Sequence, residues 1–149
     1  MALKTSGIGF SKIIGGLNYA IKMGAKVSSH SYGASASQIY SKEKYDKLQK
    51  ILKHFQNMLE NNPKHIFVAA AGNSGLKVTN EKIKIGVITC PCGIQAANAI
   101  CVGSSDKFAK KSKFSNYGKD FVHVLAPGSE ITSAYYRSEE DYVTISGTR

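Results

Sequence analysis

His65-Ile-Phe-Val-Ala-Ala-Ala71 is an apolar run in which no polar residue alternates after the first position. A strand with one face in water alternates. A strand apolar throughout suits a parallel sheet buried under helices on both faces. What lies on either side agrees. Ile13, Ile14, Leu17, Ala20 and Ile21 recur at three and four residues. They predict a helix over 12–23, capped by Ser11 and closed by Gly24. Gly15 and Gly16 each cost such a helix about 1 kcal/mol relative to Ala and suggest close packing against a neighbouring backbone. Residues 25–32 read as a strand and 35–41 as a small-polar loop. A second helix follows Ser41, with Tyr45, Leu48, Ile51, Leu52, Phe55, Met58 and Leu59 on one face and lysines on the other. Pro63 ends it. Beyond the central run, residues 85–89, 99–103 and 121–126 are short apolar runs. Residues 142–146 alternate, as a half-exposed strand does. The predicted fold is α/β, a parallel sheet flanked by helices, in one domain spanning 1–149.

Composition excludes several classes. The chain has 149 residues, 42% hydrophobic and 20% charged, the balance of a globular domain rather than a disordered one. No run of about eighteen apolar residues offers a membrane span. Met1-Ala-Leu-Lys-Thr-Ser-Gly7 has no apolar signal core. The net charge of +10 invites an anionic partner. Yet the lysines are spread along the chain, dense only over 107–113, and arginine occurs only at Arg137 and Arg149. No helix-turn-helix, zinc-finger or RNP pattern is present, so nucleic acid is not the expected partner.

The feature best placed for chemistry is Ala70-Ala71-Gly72-Asn73-Ser74-Gly75, at the C-terminal end of the buried strand, where open α/β sheets build their sites. Asn73 offers an amide donor there. Around it stand Ile13-Ile-Gly-Gly-Leu-Asn-Tyr-Ala-Ile-Lys-Met-Gly-Ala-Lys-Val27, Ser31-Tyr-Gly33, Phe114-Ser-Asn-Tyr-Gly118, Ala126-Pro-Gly-Ser-Glu-Ile131 and Ser146-Gly-Thr148. In this order the motifs resemble the central and C-terminal part of the subtilisin-like serine proteases, the subtilase family, over nearly the whole chain. The resemblance implies a subtilisin-like sheet without its N-terminal part, and peptide-bond hydrolysis by an Asp-His-Ser triad. It implies that Asn73 is the oxyanion-hole donor. Ser31, Tyr32 and Gly33 would be the strand that pairs with extended substrate, and Ala71 and Gly72 the facing wall of the specificity pocket. It further implies peptide or protein substrates, a secreted or secretory location, and the possibility of bound calcium, although no acidic cluster marks a calcium site.

The chain also departs from the pattern. Arg149 stands where the nucleophilic serine should follow Gly147-Thr148, and neither the Asp nor the His motif is present. The three groups must meet in space for acyl transfer. The expectation is therefore a partial peptidase domain that does not hydrolyse peptides by itself. The alternatives are a catalytically dead peptide-binding pseudoprotease and a basic polyanion-binding domain. His30, His54, His65 and His123 lack triad partners in sequence and are expected to be structural or solvent-facing. Cys90-Pro-Cys92 and Cys101 fall short of a zinc site and lack the spacing of a redox motif. They are expected to be free thiols, or to form one bridge from Cys90 or Cys92 to Cys101. By resemblance, Pro91 sits in a turn that carries a cis proline.

Overall fold

The computed structural model describes residues 9–32, 42–79, 92–135 and 141–148. The expected loop over 35–41, the expected strand over 85–89, and Gly33, Cys90, Pro91 and Arg149 lie outside them. Helices α1 (Phe10–Lys22) and α2 (Lys42–Glu60) and strands β1 (Val27–His30), β2 (Ile66–Ala70), β3 (Ala99–Ser105) and β4 (Val124–Pro127) form the main body. The four strands are parallel and lie in chain order, β1-β2-β3-β4. Strands β5 (Ile131–Ala134) and β6 (Tyr142–Ile145) form a separate antiparallel pair.

The predicted α/β parallel sheet is present, with local corrections. Helix α1 is capped by the backbone of Gly9, and Ser11 lies inside the helix. At its other end Met23 is the cap and Gly24 follows at φ +83°. A Cβ on Gly15 would meet nothing within 4 Å, so the expected close backbone neighbour is absent there. Strand β1 is shorter than 25–32 because the Ala25 N–H still bonds to Ala20 O of the helix. At the end of α2, Asn98 Nδ2 reaches the carbonyls of Leu59, Asn62 and His65. The carbonyls of Leu59 and Asn62 also accept the backbone N–H groups of Asn62 and His65, so Asn98 ties the helix end to the start of β2.

The core lies on one face of the sheet. Leu17 of α1 and Phe55, Met58 and Leu59 of α2 close over Phe67 and Ala69, with Ile94 beside them. Strand β2 is therefore not buried on both faces as expected. Phe67 and Ala69 are buried, while Ile66 is exposed and Val68 and Ala70 are half-buried. Further along the same buried face, the disulfide Cys92–Cys101 packs against Ala71. That bridge is one of the two pairings the sequence left open.

Candidate active site

The site is built where β2 ends. The chain leaves the sheet at Ala71 and turns at Gly72, whose φ is +96°. A side chain there would be strained, and its Cβ would come within 2.7 Å of Asn116 Nδ2. The glycine thus makes room for a neighbouring side chain of this same protein. Asn116 lies on the long connection from β3 to β4 and holds the turn from within. Its Nδ2 donates to Ala71 O at 2.9 Å, and its Oδ1 accepts from the N–H groups of Ser74 and Leu76 at 3.2 and 2.9 Å. Its own N–H donates to Gly72 O. Ser115 anchors the connection to β3: its Oγ accepts from Ser104 N–H and donates to Asn116 O, both at 2.9 Å.

Thr148 approaches from the far end of the chain. Its N–H donates to Asn73 Oδ1 at 2.8 Å, and its hydroxyl donates to the same oxygen at 2.9 Å. That hydroxyl oxygen also accepts from Gly72 N–H at 3.0 Å. The Gly147-Thr148 segment is in turn seated on Gly128, whose carbonyl accepts the Gly147 N–H at 2.8 Å. A Cβ on Gly128 would lie 2.5 Å from both Gly147 O and Ser104 Oγ.

These contacts decide which way the Asn73 amide faces. Two donors fix its oxygen toward Thr148, so its NH₂ group turns the other way. The Asn73 side chain is exposed, and Nδ2 lies 3.4 Å from where a Cβ on Gly147 would stand. An amide donor is thus held rigidly at the C-terminal edge of the sheet. Four of the sequence motifs meet here, those containing Gly72-Asn73, Asn116, Gly128 and Gly147-Thr148. The Ser31-Tyr32 segment follows β1, the strand next to β2, at the same edge. Ser31 is exposed and Tyr32 half-buried. The Ala71 side chain is buried against the disulfide, and the polar backbone groups of Ala71 and Gly72 are engaged by Asn116, Thr148 and Val102.

Asn116, Thr148 and Gly128 were not assigned roles from the sequence, although their motifs were visible. What they do emerges only when segments from 19 to 76 residues apart are brought together. The histidines are structural or solvent-facing, as expected. His54 is exposed. His123 Nδ1 accepts the Cys101 N–H at 2.9 Å. His30 and His65 are buried in a hydrogen-bonded pair through Ser28.

A parallel sheet flanked by helices is the fold the motifs implied, and comparison with known proteins agrees on fold and family. The chain belongs to the subtilase family, whose model matches residues 1–148. It is 35% identical over 147 residues to thermitase of Thermoactinomyces vulgaris, covering 98% of this chain and 43% of that protein. It is 38% identical over 81 residues to alkaline protease 1 of Aspergillus clavatus, covering 54% of this chain and 17% of that protein. Among solved structures, a lanthipeptide protease shares the fold with a TM-score of 0.72 at 19% identity, over 97% of this chain and 48% of that one. The epidermin leader peptide processing serine protease of Staphylococcus aureus gives a TM-score of 0.60 at 27% identity, over 85% of this chain and 32% of that one. The chain thus spans less than half the length of each of these proteins.

Proposed function

We propose that this chain supplies the oxyanion donor and the substrate-pairing strand of a subtilisin-type serine endopeptidase. The observation that carries the proposal is the Asn73 amide, pinned through its oxygen by Thr148 so that its NH₂ is directed away from those donors. In acyl transfer, negative charge builds on the scissile carbonyl oxygen as the tetrahedral intermediate forms. A donor already fixed in place stabilises that charge without reorganising. Asn116 and Thr148 are positioning residues in this reading, since they hold Asn73 and its turn. Ser31, Tyr32 and Gly33 are the strand along which an extended peptide lies. Ala71 and Gly72 wall the pocket by shape alone, because their polar backbone groups are already engaged.

Nucleophile, base and orienting acid are not assignable among these 149 residues, and Arg149 occupies the serine position of the Gly-Thr-Ser pattern. That substitution favours, as a second reading, a peptide-binding pseudoprotease that uses the same strand. Among the described residues no three His, Cys, Asp or Glu side chains gather to hold a metal ion. No described helix is long and apolar enough to cross a membrane. The Cys92–Cys101 bridge supports a secretory or extracellular location, where disulfides persist.

The test supplies the groups that are not assignable here. A family N-terminal part carrying the Asp and His motifs is joined to the chain, Arg149→Ser is introduced, and the chain is extended past it. The restored protein is expected to cleave a fluorogenic peptide and to react with a fluorophosphonate probe, while the 149-residue chain does neither. Asn73→Leu then removes the donor at similar size. It should lower kcat by about 10²–10³-fold and barely change KM, because the charge it stabilises exists only in the transition state. A kcat within a factor of about three of the parent would overturn the oxyanion assignment.

A further inference from the structure

Residues 107–119 carry five lysines, Lys107, Lys110, Lys111, Lys113 and Lys119, and no acidic residue. All five are exposed. The segment begins where β3 ends, at the same edge of the sheet as Asn73. It is joined to the turn that bears Asn73, since Gly75 N–H donates to Phe114 O at 2.7 Å. At its tip stands Phe108, 71% exposed, the most exposed of the large hydrophobic side chains among the described residues.

A lone exposed phenylalanine is ordinary on a protein surface. This one is held in place. Asp106 Oδ1 accepts the N–H groups of Phe108 and Lys110, both at 2.9 Å. Asp106 N–H donates to Lys110 O at 2.8 Å, and Ala109 N–H donates to Asp106 O at 3.1 Å. Ala109 has φ +58°, a left-handed conformation that a residue with a Cβ adopts only where its surroundings hold it. Behind the tip, Ser105 and Lys111 form an antiparallel bridge. Ser112 then closes the base. Its N–H donates to Ser104 O at 2.9 Å, and its hydroxyl lies 2.7 and 2.6 Å from those of Ser104 and Ser129. The carboxylate of the loop is turned onto its own backbone, so the tip offers an aromatic ring among cations. Lys111 belongs to the support: its Nζ donates to the carbonyls of Ser112 and Ser115 and sits 5.0 Å from the centroid of Tyr117. Lys107, Lys110 and Lys113 are the cations of the outer loop.

Two chemistries attract such a tip, a nucleic acid and an anionic lipid surface, and the residues favour the second. The planar fork that reads phosphates and base edges is arginine's, and the segment has none. Lys107 Nζ already covers one face of the Phe108 ring, 5.5 Å from its centroid, where a base would stack. A lipid surface uses both features at once. The ring leaves water for the boundary between headgroups and acyl chains, while ammonium groups on long stems stay at the headgroups.

We propose that the loop over 106–113 is a docking tip for a bilayer bearing anionic headgroups, with Phe108 entering the headgroup–acyl boundary and Lys107, Lys110 and Lys113 meeting the headgroups. Docking stands independently of the protease reading. Under that reading, its consequence is that the edge carrying Asn73 works beside the lipid surface.

The experiment is vesicle flotation of the 149-residue chain, in which bound protein rises with the lipid and self-associated protein does not. Vesicles of phosphatidylcholine with about one third phosphatidylserine should carry the chain at low salt and release it as salt is raised. Vesicles of phosphatidylcholine alone should carry far less. Lys107→Gln together with Lys110→Gln should weaken binding by about twentyfold, at about fivefold for each lysine. Phe108→Ser should weaken it by about tenfold. The chain has no tryptophan, so Phe108→Trp places a single indole at the tip. Its emission should shift to the blue on the anionic vesicles and become shielded from acrylamide. Ile66→Thr together with Val124→Thr, far from the loop in sequence and on the sheet, should float as the parent does. Circular dichroism checks the fold of each variant. Equal flotation on neutral vesicles would overturn the proposal, as would Phe108→Ser binding as tightly as the parent. Unshifted indole emission on vesicles that carry the protein would overturn insertion of the tip. Loss of flotation in the Ile66→Thr and Val124→Thr variant would seat the bilayer on the sheet instead. A blue shift on a single-stranded DNA oligonucleotide, with none on the vesicles, would assign the patch to nucleic acid.

Discussion

Single side chains in this protein settle the direction of others. Thr148 turns the Asn73 amide by occupying its oxygen, and Ala25 O sets the tautomer of His65 by offering only an acceptor. The buried His30 carries a consequence for stability. Burial comes first and His65 second in holding its pKa at about 4, against an ordinary value of 6.5. An unfolded chain takes up this proton near pH 6.5, whereas the folded chain refuses it until about pH 4. The unfolded state therefore binds more protons between those values, and stability falls as pH falls through that window. The contribution is full above about pH 6.5 and on the order of 2 to 3 kcal/mol is lost by about pH 4. Urea unfolding of the chain at about pH 7.5 and at about pH 4.5 should show the loss. His30→Leu should be less stable at neutral pH, because it removes one hydrogen bond each from Ser28 and Tyr32, and should show a flatter dependence on pH. An equal slope in both proteins would assign the acid sensitivity elsewhere.

At the scale of elements, the connection from β3 to β4 matters more than its lack of helix or strand suggests. It carries Ser115 and Asn116, and through them it holds the turn after β2. Asn116→Ala removes three side-chain hydrogen bonds and leaves Ala71 O, Ser74 N–H and Leu76 N–H without that partner. The expected cost is about 2 to 4 kcal/mol in denaturant unfolding. In the restored protease kcat should also fall, because the turn bearing Asn73 loosens. Unchanged stability would mean that water replaces the amide without penalty. None of this was legible in the sequence, where Phe-Ser-Asn-Tyr-Gly was visible as a motif but its reach to residues 71–76 was not. The periodic elements were more legible. Helices α1 and α2 followed from apolar spacing, and β2 from its unbroken apolar run. The ends were less so. Gly9 replaced Ser11 as the cap because backbone geometry closed the helix without a side chain. Strand β5 was overlooked because Ile131-Thr-Ser-Ala134 carries only a weak apolar pattern, and its pairing with β6 is what defines it.

Among the described residues, the sheet of the whole molecule has one apolar helix-covered face and a second face with less cover. Strand register places Val27 beside Ile66 and Val68 beside Ile100, while Val102 sits beside Val124. Side chains alternate along each strand, so these residues share the face opposite Phe67 and Ala69. Val27, Ile66, Ile100 and Val124 are between 37 and 56% exposed. An apolar stripe crossing all four strands is larger than the scattered exposed side chains of an ordinary monomer, and such stripes drive association. This explains why an expectation of full burial for β2 was half right: its outward residues are apolar enough to be covered, and the described residues cover one side. The net charge of +10 opposes association, but salt screens it. The 149-residue chain is therefore expected to self-associate as salt is raised and to bind an apolar fluorescent dye. Ile66→Thr together with Val124→Thr keeps β-branched side chains in both strands while adding polarity. If each side chain contributes about 1.5 kcal/mol when buried between copies, the double variant should weaken association by well over tenfold. Sedimentation velocity at low and high salt decides the matter. A chain that stays monomeric in both conditions, or a double variant that associates as strongly as its parent, would show that this face does not drive assembly.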